Sequence, residues 1–361
     1  MVVTKTQSAP DLSCHKKIIR HHVHPMTPIM SPYSFRIGFP SIWVNDPVGM
    51  FMLNGVYYLL FQCGGIADEW DFGIGWGMAR STDGIRWELT TSRLLEPTPG
   101  GYDQDGCFSG CVVLREPGVY DVYYTGVVKT HHLSFDEHLL HARLEIVDDS
   151  IQMTKTIRPL LTKNKRIWLD MRDPHVVQFN GSEFILMGCR DIFGRGNVRA
   201  YKLHNVTKLS DCGNILQGVD DCMIECPSLT FVSEDTWMLM VSMDHVAEEK
   251  RMSLYSFGTF DGERFVFQRP DKKVDHGNCL YAATVFHVDH KPVLMGWIVG
   301  ASKSQNSITM PRKLEFTRDH TGWKVIQTSC MFPEDANASL IGGGVTESFQ
   351  DGVATTLLAS K

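Results

Sequence analysis

Apolar and polar residues alternate along most of the chain in short runs. Residues 120–128, 176–179, 183–187, 237–241, 252–257 and 283–288 each read as a strand rich in β-branched and aromatic side chains. Between such runs stand turn pairs: Asp83-Gly84, Asn180-Gly181, Asp261-Gly262 and Thr321-Gly322. No amphipathic helix longer than about three turns emerges from the pattern. An all-β fold follows, of the sandwich, barrel or propeller kind.

A repeat decides among these. Short signatures containing polar, Pro or Gly residues precede apolar strands: Asn45-Asp46-Pro47, Phe108-Ser109-Gly110, Arg172-Asp173-Pro174, Glu225-Cys226-Pro227 and Tyr281-Ala282-Ala283. From Asp46 to Ser109, Asp173, Glu225 and Ala282 the steps are 63, 64, 52 and 57 residues. Each step is the length of one four-stranded blade, so five signatures predict a five-bladed propeller. The first strand of a blade lines the central channel. Asp46, Asp173 and Glu225, distant in sequence, are therefore expected in one funnel.

The first signature lies within Trp43-Val44-Asn45-Asp46-Pro47-Val48-Gly49. Pro47 drives Asp46 out of the helical region, and Gly49 lets the backbone turn. A carboxylate on a stiff segment beside an indole suits a sugar. Taken alone, the same residues also read as an Asx-Pro turn with Trp43 in the core.

Composition narrows the class. A net charge of -6 argues against a nucleic-acid partner, which needs a basic face. No apolar run approaches the ~18 residues of a membrane-spanning helix. Residues 1–31 carry Lys5, Lys16, Lys17, Arg20 and His21, His22 and His24 without the apolar region of a secretory signal. They are expected to form a poorly ordered arm, and the chain to be cytoplasmic. The ten cysteines include no CxxC pair and suit buried thiols, not a zinc site or a disulfide framework. The sequons at Asn180, Asn205 and Asn337 are of a kind common by chance.

The ordered motifs carry a family resemblance. Trp43–Gly49 written out above, Phe61-Gln62, Trp70, Phe108-Ser109-Gly110, Arg172-Asp173-Pro174, Glu225-Cys226-Pro227, Tyr281-Ala282-Ala283-Thr284, Gly296-Trp297 and Pro311-Arg312 resemble, in order, those of glycoside hydrolase family 32. Those enzymes are invertases, inulinases and levanases, and the match covers roughly residues 32–316. The resemblance implies that residues 32–330 form a five-bladed catalytic propeller. The family's usual C-terminal β-sandwich is expected to be missing or vestigial, with 331–361 a short tail rich in Gly, Ser and Thr. Loss of a sandwich would expose an apolar flank and favour self-association.

The resemblance also implies roles. Asp46 matches the nucleophile, Glu225 the acid/base and Asp173 the transition-state stabiliser of a retaining glycosidase, which needs two carboxyl groups about 5–5.5 Å apart. Trp43, Asn45, Gln62, Trp70, Phe108, Ser109, Arg172, Cys226, Asp275, Tyr281 and Trp297 match substrate-binding positions. Trp70 and Phe108 equally suit a core, whereas Trp76, Trp87 and Trp168 are assigned to core or rim. The family often pairs the Asp of an Asp-x-x-Lys element with its Lys. Here the element is Asp275-His276-Gly277-Asn278, so Asp275 has no such cation and sits in a segment that also reads as a plain turn at Gly277. The implied activity is hydrolysis of β-fructofuranosidic bonds in sucrose or fructan oligosaccharides through a covalent fructosyl-enzyme intermediate. No metal or other cofactor is implied, and the partner is a fructoside, with no nucleic acid or membrane. Two alternatives remain: a fructosyltransferase using the same residues, and a non-catalytic sugar-binding propeller.

Overall fold

The computed structural model describes residues 18–21, 36–39, 42–64, 70–131, 134–147, 150–206, 208–245, 250–260, 265–267, 270, 272–300, 306–329, 345–350 and 353–358. All regular structure among them is strand. Five antiparallel sheets form the blades of a propeller. Blade I is Trp43–Leu53, Val56–Gly64, Gly75–Ser81 and Glu88–Leu95. Blade II is Gly106–Glu116, Val119–His131, Ser134–Val147 and Ser150–Lys155. Blade III is Trp168–Phe179, Ser182–Asp191, Gly196–Asn205 and Lys208–Val219. Blade IV is Met223–Ser233, Thr236–His245, Lys250–Phe260 and Phe265–Phe267. Blade V is Leu280–Val288, Lys291–Ile298, a third position shared by Ser307–Thr309 and Arg312–Asp319, and Gly322–Ser329. The third strand is split at Met310-Pro311, because proline has no N–H to give to the ladder.

The first strands of the blades stand side by side around the axis. That of blade V packs beside that of blade I, so the ring closes. Closure is reinforced from the other end of the chain. Arg36–Ile37, ahead of blade I, pairs with Ser307–Thr309 of blade V, and Ile37 is buried among residues of both blades. The apolar core is accordingly distributed. One buried cluster fills each interface between neighbouring blades, and a further one, with Trp43, Phe108, Cys226, Tyr281 and Trp297, lies on the axis. Trp76, Trp87 and Trp168 are all buried.

Close backbone approach fixes one glycine. A Cβ on Gly188 in blade III would stand 2.1 Å from the carbonyl oxygen of Ile224 in blade IV. Only glycine lets these strands meet, and the residue after Ile224 is Glu225. The turn pair Asn180-Gly181 has φ of 46° and 71°, the backbone of a tight hairpin that glycine and asparagine favour. Asp261-Gly262 lies outside the described residues.

Two segments lie beyond the five blades. Ile18–His21 adds to the outer edge of blade II through Ser150–Lys155, within the stretch expected to be a poorly ordered arm. Val345–Gln350 and Val353–Leu358 form a two-stranded hairpin within the expected tail.

Candidate active site

Each signature is a β-bulge in an innermost strand. The register of the first pair of strands slips at Val44/Pro47 in blade I, Phe108/Gly110 in II, Arg172/His175 in III, Glu225/Ser228 in IV and Tyr281/Thr284 in V. A bulge adds one residue, bends the strand and re-aims its side chains. In three blades the bulge holds a non-glycine residue in the left-handed region: Asp173 at φ 60°, Cys226 at φ 48° and Ala282 at φ 48°. Such strain persists where the surroundings over-determine it, and it concentrates at functional sites. The five bulges point polar groups into one funnel.

Asp46 is held from both sides. Its Oδ2 accepts a hydrogen bond from Ser109 Oγ at 2.7 Å, and its Oδ1 one from Asn45 Nδ2 at 3.0 Å. Asn45 is locked in turn: it donates to Gln62 Oε1 at 2.5 Å and accepts from Trp43 Nε1 at 3.0 Å. Gln62 and Asn45 are both buried, so this chain of amides has no freedom to rotate. The Cys226 thiol lies 3.7 Å from Asp46 Oδ2 and 3.5 Å from Asp173 Oδ2 and bridges the two carboxyl groups. Asp173 also accepts the Cys226 backbone N–H at 2.9 Å, and its own N–H is donated to Thr125 Oγ1 at 3.0 Å.

Glu225 sits between a phenol and a guanidinium. Tyr281 donates its hydroxyl to Oε2, and Arg172 Nη1 donates to Oε1 at 3.2 Å. Arg172 is itself fixed by Asp170 at 2.6 Å, and Asp170 by Arg190 at 2.6 Å.

Three carboxyl groups thus share a water-poor site. Burial pushes Asp46 above the ordinary carboxylate range, against the pull of Ser109, Asn45 and Cys226. Burial also raises Glu225; the Arg172 charge and the Tyr281 hydroxyl oppose it, and the Asp46 charge assists it. Asp173 is pushed up to about 8, first by burial and then by the charge of Glu225. Like charges this close resist joint ionisation, so the cluster retains a proton near neutrality.

The aromatic residues sort into two groups. Trp43, Tyr281 and Trp297 are buried, with ring centroids of Trp43 and Tyr281 at 6.0 and 6.3 Å from Trp297. Phe108 is buried too. Trp70 is 41% exposed, 5.8 Å from Phe108 and 5.1 Å from Phe72 by centroid, and presents an open face at the rim. Asp275 does have a cation, although not from its own element: Arg312 meets it at 3.0 Å. It lines a neighbouring cavity of about 420 Å³ with Lys250, Arg251 and Lys273, and accepts the Gly277 N–H at 3.4 Å. Arg251 joins this cavity to the funnel, its guanidinium 5.7 Å from the centre of the Tyr281 ring.

Several residues of the site escaped the sequence reading: Thr125, Glu137, Asp170, Arg251 and Asp244, which pairs with Arg251 at 3.1 Å. Asp170 had a signal, since it shares a strand face with Arg172 two residues on. The others lie on second and third strands, where nothing in the sequence marks them.

Comparison with known proteins agrees with this architecture. The chain is 29% identical over 300 residues to the sucrose-6-phosphate hydrolase of Zymomonas mobilis subsp. mobilis, a match covering 76% of this chain and 57% of that protein. It is 27% identical over 310 residues to the raffinose invertase of Escherichia coli, covering 79% and 62%. The chain therefore spans about three fifths of the length of these relatives. Among solved structures, a Bombyx mori GH32 beta-fructofuranosidase superimposes with a TM-score of 0.69 at 22% identity, covering 82% of this chain and 64% of that one. The sucrose-6-phosphate hydrolase from Lactobacillus gasseri does so with a TM-score of 0.68 at 21% identity, over 83% and 64%. These two likenesses are of fold. The model of the glycosyl hydrolases family 32 N-terminal domain matches residues 38–329, all five blades with their bulged signatures, and the chain belongs to that family.

Proposed function

We propose that this propeller is a retaining β-fructofuranosidase, acting on sucrose or on fructan oligosaccharides. One observation carries the reading. Asp46 and Glu225 enter the same funnel with different environments: Asp46 accepts hydrogen bonds from the neutral Ser109 and Asn45 side chains, and Glu225 from the Tyr281 phenol and the Arg172 guanidinium. Different surroundings for two carboxyl groups support different roles for them. The relatives named sucrose-6-phosphate hydrolase, raffinose invertase and, in Beta vulgaris, fructan 6-exohydrolase support it.

In the first step an oxygen of Asp46 attacks the anomeric carbon of the fructosyl unit. Glu225 gives its proton to the glycosidic oxygen, which leaves as the hydroxyl of the departing sugar. In the second step Glu225 removes a proton from water, the hydroxide oxygen bonds to the anomeric carbon, and Asp46 departs as carboxylate. The acid/base needs its proton at rest, and burial supplies that tendency. Asp173, beside both, accepts hydrogen bonds from ring hydroxyls that strengthen as oxocarbenium charge develops. Trp70 offers a face to a sugar ring at the mouth.

The test is to incubate purified protein with sucrose, inulin and levan and to identify the sugars released and the anomer formed first. Free fructose released with retention is the expected result. Binding of fructosides without turnover at any pH would leave a sugar-binding propeller instead, and larger fructosides in place of free fructose would leave a transferase.

A further inference from the structure

Glu137, on the third strand of blade II, is a completely buried carboxylate that the steps above do not use. Its Oε2 lies 2.8 Å from Lys163 Nζ and accepts the Met171 N–H at 2.8 Å. Its Oε1 stands 3.0 Å from Arg172 Nε, too obliquely for a hydrogen bond, so the contact is one of charge. Lys163 is pinned by the carbonyls of Phe135 at 3.0 Å and Leu169 at 2.7 Å. The ring of Phe135 lies 5.6 Å from the guanidinium. Arg172 therefore has one edge on Glu137 and one nitrogen on Asp170, and only Nη1 reaches Glu225.

Burying a carboxylate is costly and is offset only by well-placed opposite charge and hydrogen bonds. We propose that Glu137 is a positioning residue for Glu225: it holds Arg172 by its Nε edge and balances the buried positive charge, so that Arg172 orients the acid without stripping its proton. The inference rests on reading Glu225 as the proton donor. With Glu225 protonated, Glu137 and Asp170 face Lys163, Arg172 and Arg190; only an ionised Glu225 makes the charges equal, so each negative charge behind Arg172 helps Glu225 keep its proton. Glu225 itself faces Arg172 and Asp173 from blade III, Asp46 from blade I, Tyr281 from blade V, and Asp244, Arg251 and Cys226 of its own blade. None of these replaces the negative charge of Glu137 behind Arg172.

The sign follows. Glu137→Gln keeps the shape and removes one negative charge, so the net positive field on Glu225 grows and Glu225 loses its proton at lower pH. The basic limb of the activity profile should move down by about one pH unit. Glu137→Gln combined with Lys163→Met restores the balance and should return the limb towards the wild-type position; Glu137→Asp, which keeps the charge, should leave it nearly in place. The direct readout is the carboxyl carbon resonance of Glu225 in protein carrying ¹³C-labelled glutamate, followed against pH. It needs no turnover, so an inactive wild type would overturn the proposed function and still leave the titration to judge Glu137. A folded Glu137→Gln protein with an unmoved Glu225 midpoint overturns the inference. If that single variant does not fold, an upward or absent shift in Glu137→Asp/Lys163→Met, which carries one uncompensated negative charge and should raise the midpoint, decides it: upward supports, absent overturns.

Discussion

At the scale of residues, Asp46 and Glu225 differ in what surrounds them more than in what they are. Under the proposed function, removing each should therefore abolish turnover in a different way. Asp46→Ala and Glu225→Ala should each lower kcat on sucrose by a factor of about 10³ or more. Azide should rescue Asp46→Ala and give a product of inverted configuration, because the small anion fills the space of the lost nucleophile. Glu225→Ala should still cleave an activated aryl fructoside, whose leaving group needs no proton. Glu225→Ala protein that hydrolyses sucrose at the wild-type rate would refute the acid/base role. Since burial raises both carboxyl groups, both limbs of the pH–rate profile should lie above the values of free Asp and Glu side chains.

Asp173 allows a thermodynamic test at the same scale. Its folded-state value of about 8 exceeds the ordinary 3.8. Below about pH 4 the group is protonated folded or unfolded and costs nothing. As pH rises from there to about 8, the unfolded chain ionises while the folded protein keeps the proton, and wild-type stability falls. Asp173→Asn keeps an acceptor for the Cys226 N–H and has no charge to bury. Thermal melts should show the variant gaining on the wild type between pH 4 and 8 by a few degrees, with a constant gap above. Equal pH dependence of the two melting temperatures would contradict the assignment.

Among elements, the bulged inner strands do the positioning, and they depend on close contact between blades. Gly188→Ala places a methyl against the Ile224 carbonyl and within 3.2 Å of Glu225 Cα. The strands must separate, at a cost of about 1–3 kcal/mol. Melting temperature should drop by a few degrees, and kcat should fall more than binding of fructosides, since Glu225 moves while the Asp46 side of the funnel does not. Unchanged kcat in this variant would mean that Glu225 tolerates displacement. The elements also mark how far the sequence could be read. Short alternating runs and turn pairs such as Asn180-Gly181 and Thr321-Gly322 announced strands and hairpins, and the five signatures announced the inner strands. The bulges within those signatures were not legible, because a left-handed Asp, Cys or Ala is imposed by packing and not by its own preference.

For the whole molecule, the ring is closed by a short strand. Arg36–Ile37 reaches blade V with only two residues, so Ile37 carries much of the contact. Ile37→Ala should destabilise the fold by about 2–5 kcal/mol, seen as a lower midpoint in urea. The denaturant slope should stay unchanged, as the same surface is exposed on unfolding. A loss below about 0.5 kcal/mol would show that the five blades hold together without that strand.

The sequence by itself determined the all-β class, the blade count and the placing of Asp46, Asp173 and Glu225 on the first strands of their blades. Each follows from local chemistry: period-two alternation, turn residues, and motifs a few residues long. It could not determine who touches whom. That Cys226 bridges Asp46 and Asp173, that Arg312 rather than residue 278 neutralises Asp275, and that Glu137 stands behind Arg172 are contacts between residues 35 to 180 positions apart. They arise when five separately readable blades are bent into one ring. Burial and the neighbouring charges, which set the proton affinity of every carboxyl group in the funnel, exist only once that ring has closed.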